Sequence, residues 1–190
     1  MRRAEATAAV LAALDRELLV AANGMISREA FACRDRPESF YMIGSMGLAA
    51  AIGLGVALTR PERRVVVLDG DGNLLMGLGS LAMVGERQPA NLLHVVLDNG
   101  VYGSTGGQRS ISDRIALETV AAAAGYSWVR RVESEEALGD GLREALAARG
   151  PALLLVKVSP EDAPGTPRVS HAPEALAERF RETAREAATA

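Results

Sequence analysis

Arg64-Val65-Val66-Val67-Leu68-Asp69-Gly70-Asp71-Gly72 is the stretch that decides the fold. Three consecutive valines and a leucine with no polar interruption predict a strand buried on both faces. The run stops abruptly at carboxylates interleaved with glycines, the chemistry of a turn. The same pattern recurs outward in both directions. Upstream, Leu18-Leu19-Val20-Ala21-Ala22 runs into Asn23-Gly24, and Ser39-Phe40-Tyr41-Met42-Ile43 runs into Gly44-Ser45-Met46-Gly47. Downstream, Leu92 to Leu97 runs into Asp98-Asn99-Gly100-Val101-Tyr102. Ser127 to Val132 and Ala152 to Val158 complete the apolar runs. Between them lie helical patterns over 4–15, from Ser27 as N-cap, over 46–58, 78–87, 115–124 and 134–149, with a Gly/Ser/Thr loop over 103–113. Strands alternating with helices predict an α/β fold, three layers deep, around a mostly parallel six-stranded sheet. The body is expected over residues 1–160, with a Pro-rich linker and a charged C-terminal helix over 161–190.

Composition narrows the function. The chain has 190 residues, 21 Lys plus Arg against 24 Asp plus Glu, and a net charge of −3, which argues against a basic nucleic-acid face. One cysteine, Cys33, excludes an internal disulfide or cysteine-built cluster, and two histidines leave little for a histidine metal site. No apolar run reaches the roughly 20 residues of a membrane span. The expectation is a soluble, cytoplasmic protein that binds neither nucleic acid nor membrane.

In parallel sheets ligands sit beyond the carboxyl ends of the strands. Four successive strand ends here carry glycine with a small polar residue, so one edge of the sheet is expected to be a binding edge. Glycine lets backbone amides approach a phosphate. Asp71 offers a carboxylate oxygen, and Asn99 an amide oxygen on a neighbouring strand end. With a backbone carbonyl, water and two phosphate oxygens these make a six-oxygen Mg²⁺ shell. Taken alone, Gly70-Asp71-Gly72 is an ordinary tight turn; its spacing to Asp98-Asn99, after a second buried strand, points to a Mg²⁺-bridged diphosphate. No P-loop motif occurs, and Gly70-Asp71-Gly72-Asn73 lacks the third glycine of a dinucleotide fingerprint.

Gly70-Asp71-Gly72, with Asn99 following Gly72 by 27 positions, resembles the motif of thiamine diphosphate enzymes. The resemblance implies that Asp71, Asn99 and the carbonyl of Val101 hold Mg²⁺ on the diphosphate. The usual Asn-Asn doublet is Asp98-Asn99 here. Gly44-Ser45-Met46-Gly47 is similar to the segment that cradles the aminopyrimidine, with Gly44 accepting from its amine and Met46 wedged beneath the cofactor. Asn23, Gly24, Gly70, Gly72, Asn73 and Tyr102 complete the implied cofactor-binding set. The segments 23–29, 40–47 and 98–108 are most similar to the diphosphate-binding half, or β subunit, of sulfopyruvate and phosphonopyruvate decarboxylases.

That family places the activating Glu in a pyrimidine-binding domain. The resemblance therefore implies an α subunit that supplies this Glu, in a hetero-oligomer of at least two pairs. The helix over residues 47–57, rich in Ala and Gly, suits close packing on such a partner. The implied reaction is non-oxidative decarboxylation of a small anionic 2-oxoacid. Tyr102, Ser104 and Thr105 are the catalytic candidates on this chain, and Arg109, in the same loop, is a candidate for the substrate's second anion. Two other readings stay open: half of a 2-oxoacid oxidoreductase or carboligase, and a cofactor-binding module without turnover. His94 is expected to be a satisfied core histidine, His171 a solvated one, Cys33 an inert small hydrophobe, and the charged end from Glu174 to Glu186 a solvated helix face.

Overall fold

The structure, a computed structural model, describes residues 1–186; the expectation for 161–190 extends over residues 187–190, which lie outside the described residues. In chain order the elements are α1 (Arg3–Ala12), β1 (Leu18–Ala21), α2 (Met25–Cys33), β2 (Ser39–Tyr41), α3 (Ala49–Thr59), β3 (Val65–Gly70), α4 (Asp71–Met76) and α5 (Gly79–Arg87). There follow β4 (Leu92–Asp98), β5 (Val101–Tyr102), β6 (Gln108–Arg109), α6 (Leu117–Ala123), β7 (Trp128–Val132), α7 (Glu135–Ala147), β8 (Ala152–Lys157) and α8 (Pro173–Arg185). Six strands form one sheet in the order β2-β1-β3-β4-β8-β7, and every neighbouring pair is parallel. β5 and β6 form a small separate hairpin.

Burial follows the sequence pattern. Every residue of β1 and β4 is buried, as are Val65–Asp69 of β3 and Ala152–Val156 of β8, whereas the outer strands β2 and β7 are only partly so. α1, α2 and α7 pack on one face; α3, α5 and α6 pack on the other. α8 lies against β2, where Phe180 meets Phe40 with ring centroids 5.6 Å apart. The carboxyl ends of β2, β1, β3 and β4 are adjacent. The four glycine-bearing ends therefore do share one edge.

Several local expectations are corrected. α2 starts at Met25, ahead of the expected N-cap Ser27. The buried Ser27 hydroxyl instead lies within 2.7–2.9 Å of the carbonyls of Ala21, Ala22 and Met42, stitching β1 to the end of β2. α3 starts at Ala49 rather than Met46, because Ser45 (φ 60°) and Gly47 (φ 95°) hold the backbone outside the helical region. β3 extends through Gly70, and Asp71 opens a short helix where a turn was expected. The 103–113 loop contains β6 and two single 3₁₀ turns.

Three side chains depart from expectation. His171 is not simply solvated: its Nε2 lies 2.8 Å from Asp35 and its ring sits edge-on to Phe31. Cys33 is exposed rather than packed. The charged C-terminal helix is amphipathic rather than solvated all round, burying Leu176 and Phe180 at their one-turn spacing. Among the described residues no helix is long and apolar enough to cross a membrane.

Candidate cofactor site

One cleft at the carboxyl edge gathers most of the expected site. From β1 and the start of α2 it takes Asn23 and Gly24, and from the loop after β2 it takes Met46. Gly70, Asp71, Gly72 and Asn73 form its floor, and Asn99, Val101, Tyr102 and Ser104 its far wall. Gly44, Ser45 and Thr105 do not line this cleft. Ser45 is exposed, and the Thr105 hydroxyl donates to Gln108 at 2.9 Å within its own loop. Arg109 is also outside the cleft, exposed and paired with Asp113.

Asp71 is only 2% exposed. One carboxylate oxygen accepts from the hydroxyls of Ser110 and, at 3.3 Å, Ser112. Burial holds its carboxyl above the usual carboxylate range. The neighbouring Asp98 charge adds to this, and together they outweigh the hydrogen bonds from Ser110, the Gly72 amide and Ser112. Asp98, directly across from Lys157 in the β4–β8 register, accepts from that ammonium at 2.7 Å and from Ser112 at 2.7 Å. A buried carboxylate held by neutral donors alone, facing a cleft, is the environment that a divalent cation relieves. Asn99 Oδ1 accepts from the Val101 amide at 3.1 Å, which fixes the turn presenting both groups. Asn23 Oδ1 is buried without a hydrogen-bond partner, so its amide is not committed to the fold. The donor set thus fits a Mg²⁺-bridged diphosphate.

Beneath the cleft runs a polar chain that sequence reasoning missed. Tyr126 OH and Nδ1 of His94 are 3.2 Å apart, and Nε2 of His94 lies 3.0 Å from Oδ2 of Asp69. The other oxygen of Asp69 accepts from the Gly70 amide at 2.8 Å and from the Asn73 side-chain amide. The Asn73 side-chain oxygen Oδ1 in turn accepts from the Gly47 amide. Burial, with the Asp69 charge behind it, pushes the Tyr126 phenol up, so its proton stays to be donated to Nδ1. His94 is thus the satisfied core histidine expected, and the chain ties the sheet centre to the 44–47 loop. That loop is also seated sterically: a Cβ on Gly77 would lie 1.9 Å from the Gly47 carbonyl oxygen. A Cβ on Gly72 would lie 2.5 Å from the Tyr102 ring, so glycine there lets the ring approach the backbone closely.

Arg3 is a second omission. It reaches the cleft from α1, held by Glu29 at 2.8 and 3.0 Å and by Asp162 at 2.5 Å. Nothing in its sequence neighbourhood marks it. Ser110 and Ser112, two positions apart on one side of a loop, carry only a weak signal of their own.

Residues 22–156 match the family model of the thiamine pyrophosphate enzyme C-terminal TPP binding domain. The chain belongs to this family. Among curated relatives of this TPP binding domain, phosphonopyruvate decarboxylase of Streptomyces viridochromogenes is 50% identical over 173 residues, covering 90% of this chain and 43% of that protein. The chain therefore spans less than half of that relative. Sulfopyruvate decarboxylase subunit beta of Methanothermobacter thermautotrophicus is 42% identical over 180 residues, covering 95% of this chain and 94% of the subunit. The fold matches that of benzoylformate decarboxylase from Polynucleobacter necessarius, with a TM-score of 0.70 at 19% identity over 86% of this chain and 34% of that one. The TPP binding fold is thus shared well beyond the range of close sequence similarity.

Proposed function

We propose that this TPP binding domain is the β subunit of a Mg²⁺-dependent decarboxylase. Its substrate is a pyruvate carrying a second anion on C3, a phosphonate or a sulfonate. The observation that carries the reading is the cleft itself: Asp71 and Asn99, just past the ends of the adjacent strands β3 and β4, line it together with Val101, Met46 and Gly70. Identity along nearly the full length of a sulfopyruvate decarboxylase β subunit supports the assembly.

In this reading Asp71, Asn99 and Val101 would hold Mg²⁺ on the diphosphate, and Asn23, Gly24, Gly70, Gly72 and Asn73 would bind the phosphates. Met46 and the loop from Gly44 support the aminopyrimidine. Bound thiamine diphosphate supplies the nucleophilic carbon and the electron sink for decarboxylation. The net change is the 2-oxoacid plus a proton giving an aldehyde and CO₂. Tyr102 and Ser104, which line the cleft, would position the substrate there, whereas Thr105 orders its own loop through Gln108.

The pyrimidine half, with its Glu, comes from an α subunit. A stripe of exposed apolar residues supports such docking: Leu48, Ala51, Gly55 and Leu58 repeat along one side of α3, and Met76 and Met83 are exposed on the neighbouring helices. Two or more such pairs form the working enzyme. Co-expression with the pyrimidine-binding chain tests the reading. CO₂ release from phosphonopyruvate or sulfopyruvate, dependent on Mg²⁺ and thiamine diphosphate, is expected. Release from neither, with cofactor bound, overturns it.

A further inference from the structure

A second cleft, of about 690 Å³, opens beside the cofactor cleft and shares Gly24, Met25 and Ser104 with it. Its other walls are α2, the end of β2 and the segment after β8. The charges along it are unevenly committed. Asp162 is taken by the buried Arg3. His171 is taken by Asp35, which Arg179 also grips. Arg28 donates to the carbonyl oxygens of Thr166 and of Pro167, the latter at 3.1 Å; these are neutral partners that leave its positive charge unbalanced. Those two bonds also fix the backbone next to Arg168. Arg168 itself, an exposed residue lining the cleft, makes no hydrogen bond or ion pair among the described residues. Met42, Ile43 and Val169 form the apolar part of the wall.

We propose that Arg168 binds the second anion of the substrate, its phosphonate or sulfonate, in this cleft beside the cofactor. The inference rests on the decarboxylase reading above. A guanidinium offers a planar fork of donors to a tetrahedral oxyanion, and the unbalanced charge of Arg28 adds to the field. Apolar walls suit the methylene between the ketone and the anion. Ser104, which lines both clefts, marks where the anion cleft and the cofactor cleft adjoin. Arg109, the candidate offered by the sequence, lines neither cleft and is paired with Asp113.

The test uses the assembled complex with Arg168→Met and Arg168→Lys. In the Met variant KM for phosphonopyruvate and sulfopyruvate is expected to rise about 30-fold, the worth of a charged hydrogen-bonded contact. KM for pyruvate, which lacks the second anion, is expected to hold, and kcat for all three to change little. The Lys variant recovers part of the loss. A calorimetric titration of 3-phosphonopropionate into the same proteins gives a readout free of turnover; its Kd is expected to weaken in parallel while thiamine diphosphate affinity stays constant. Equal changes for all three acids, or an unchanged 3-phosphonopropionate Kd, overturn the assignment. If the parent complex releases CO₂ from neither anionic acid, the decarboxylase reading falls, and the titration still decides the role of Arg168.

Discussion

Without metal or cofactor, Asp71→Asn is expected to be more stable than the parent at pH 7. Asp71 is nearly sealed from water, shares its surroundings with the Asp98 carboxylate, and receives only neutral donors. Its carboxyl accordingly stays protonated to a higher pH in the folded chain than in the unfolded one. Below the unfolded value of 3.8 both states carry the proton and the residue costs nothing. As pH rises the unfolded chain ionises first, the folded state holds the extra proton, and stability falls until the folded carboxyl ionises as well. Above that point the cost is fully present. An amide keeps an oxygen for the Ser110 and Ser112 hydroxyls and carries no charge. The gain is expected to be about 1 kcal/mol, the low end for neutralising a buried charge, or a rise in Tm of about 3 °C for a chain of this length. It should vanish near pH 3. With Mg²⁺ and thiamine diphosphate the order reverses, because the parent gains ligand stabilisation that the variant loses with an affinity drop of about 100-fold. Scanning calorimetry and urea unfolding in EDTA, then with Mg²⁺ and cofactor, measure both halves. A variant less stable than the parent in EDTA at pH 7 would refute the reasoning, as would undiminished cofactor affinity.

His94→Leu leaves an oxygen of buried Asp69 and the Tyr126 hydroxyl without partners, and is expected to cost about 3–5 kcal/mol in urea unfolding with an unchanged slope; a loss under about 1 kcal/mol would show that the polar chain is not stabilising. Gly77→Ala drives a methyl into the Gly47 carbonyl, whereas Gly79→Ala meets open space. The first is expected to lose about 1–3 kcal/mol and to weaken thiamine diphosphate binding, the second to do neither, and equal behaviour would dissociate the 44–47 loop from the cofactor. Burial acts to raise Asp35, but Arg179 and His171 outweigh it and hold the carboxyl at about 2. Its contribution is therefore complete above 3.8 and lost as pH falls toward 2, and since the pair is about one-third exposed it is worth about 1 kcal/mol. The stability gap between parent and Asp35→Asn should accordingly close over that acid range, and a gap constant with pH would sink the assignment.

The layout of the sheet was legible because its strands are buried on both faces. β3, β4 and β8 needed no periodicity to be recognised, only an unbroken apolar run with a turn after it. The candidate site was legible for a related reason: its residues gather around strand ends, Gly70 closing β3, Asp71 to Asn73 opening α4 and Asn99 following β4, where glycine beside Asp or Asn serves either a turn or a ligand, and four such ends on one edge favour the ligand. What escaped notice was long-range satisfaction of polar groups. Asp69, His94 and Tyr126 are far apart in the chain and meet only once β3 and β4 pair and α6 ends beneath them. Arg3 reaches the cleft through its pairing with Glu29, 26 residues on. Helix starts were misplaced where a side chain took an unexpected local role. Ser27 read as a cap because serine commonly caps, but its hydroxyl is consumed across β1 and β2. The position of His171 depended on where the segment after β8 folds, which no local pattern records.

The two flanks of the sheet are guarded by different means. β7 carries Arg130 and Arg131, each engaged with glutamates across the surface, and charged side chains on an outer strand oppose stacking of another chain alongside it. β2 has only three residues and is backed by α8, locked through Phe180 on Phe40. Neither flank therefore offers a free template for strand addition. Ribbon-like polymerisation by edge-to-edge strand pairing is opposed at both flanks. A chain with so many uninterrupted β-forming segments thereby keeps them from acting as sticky ends.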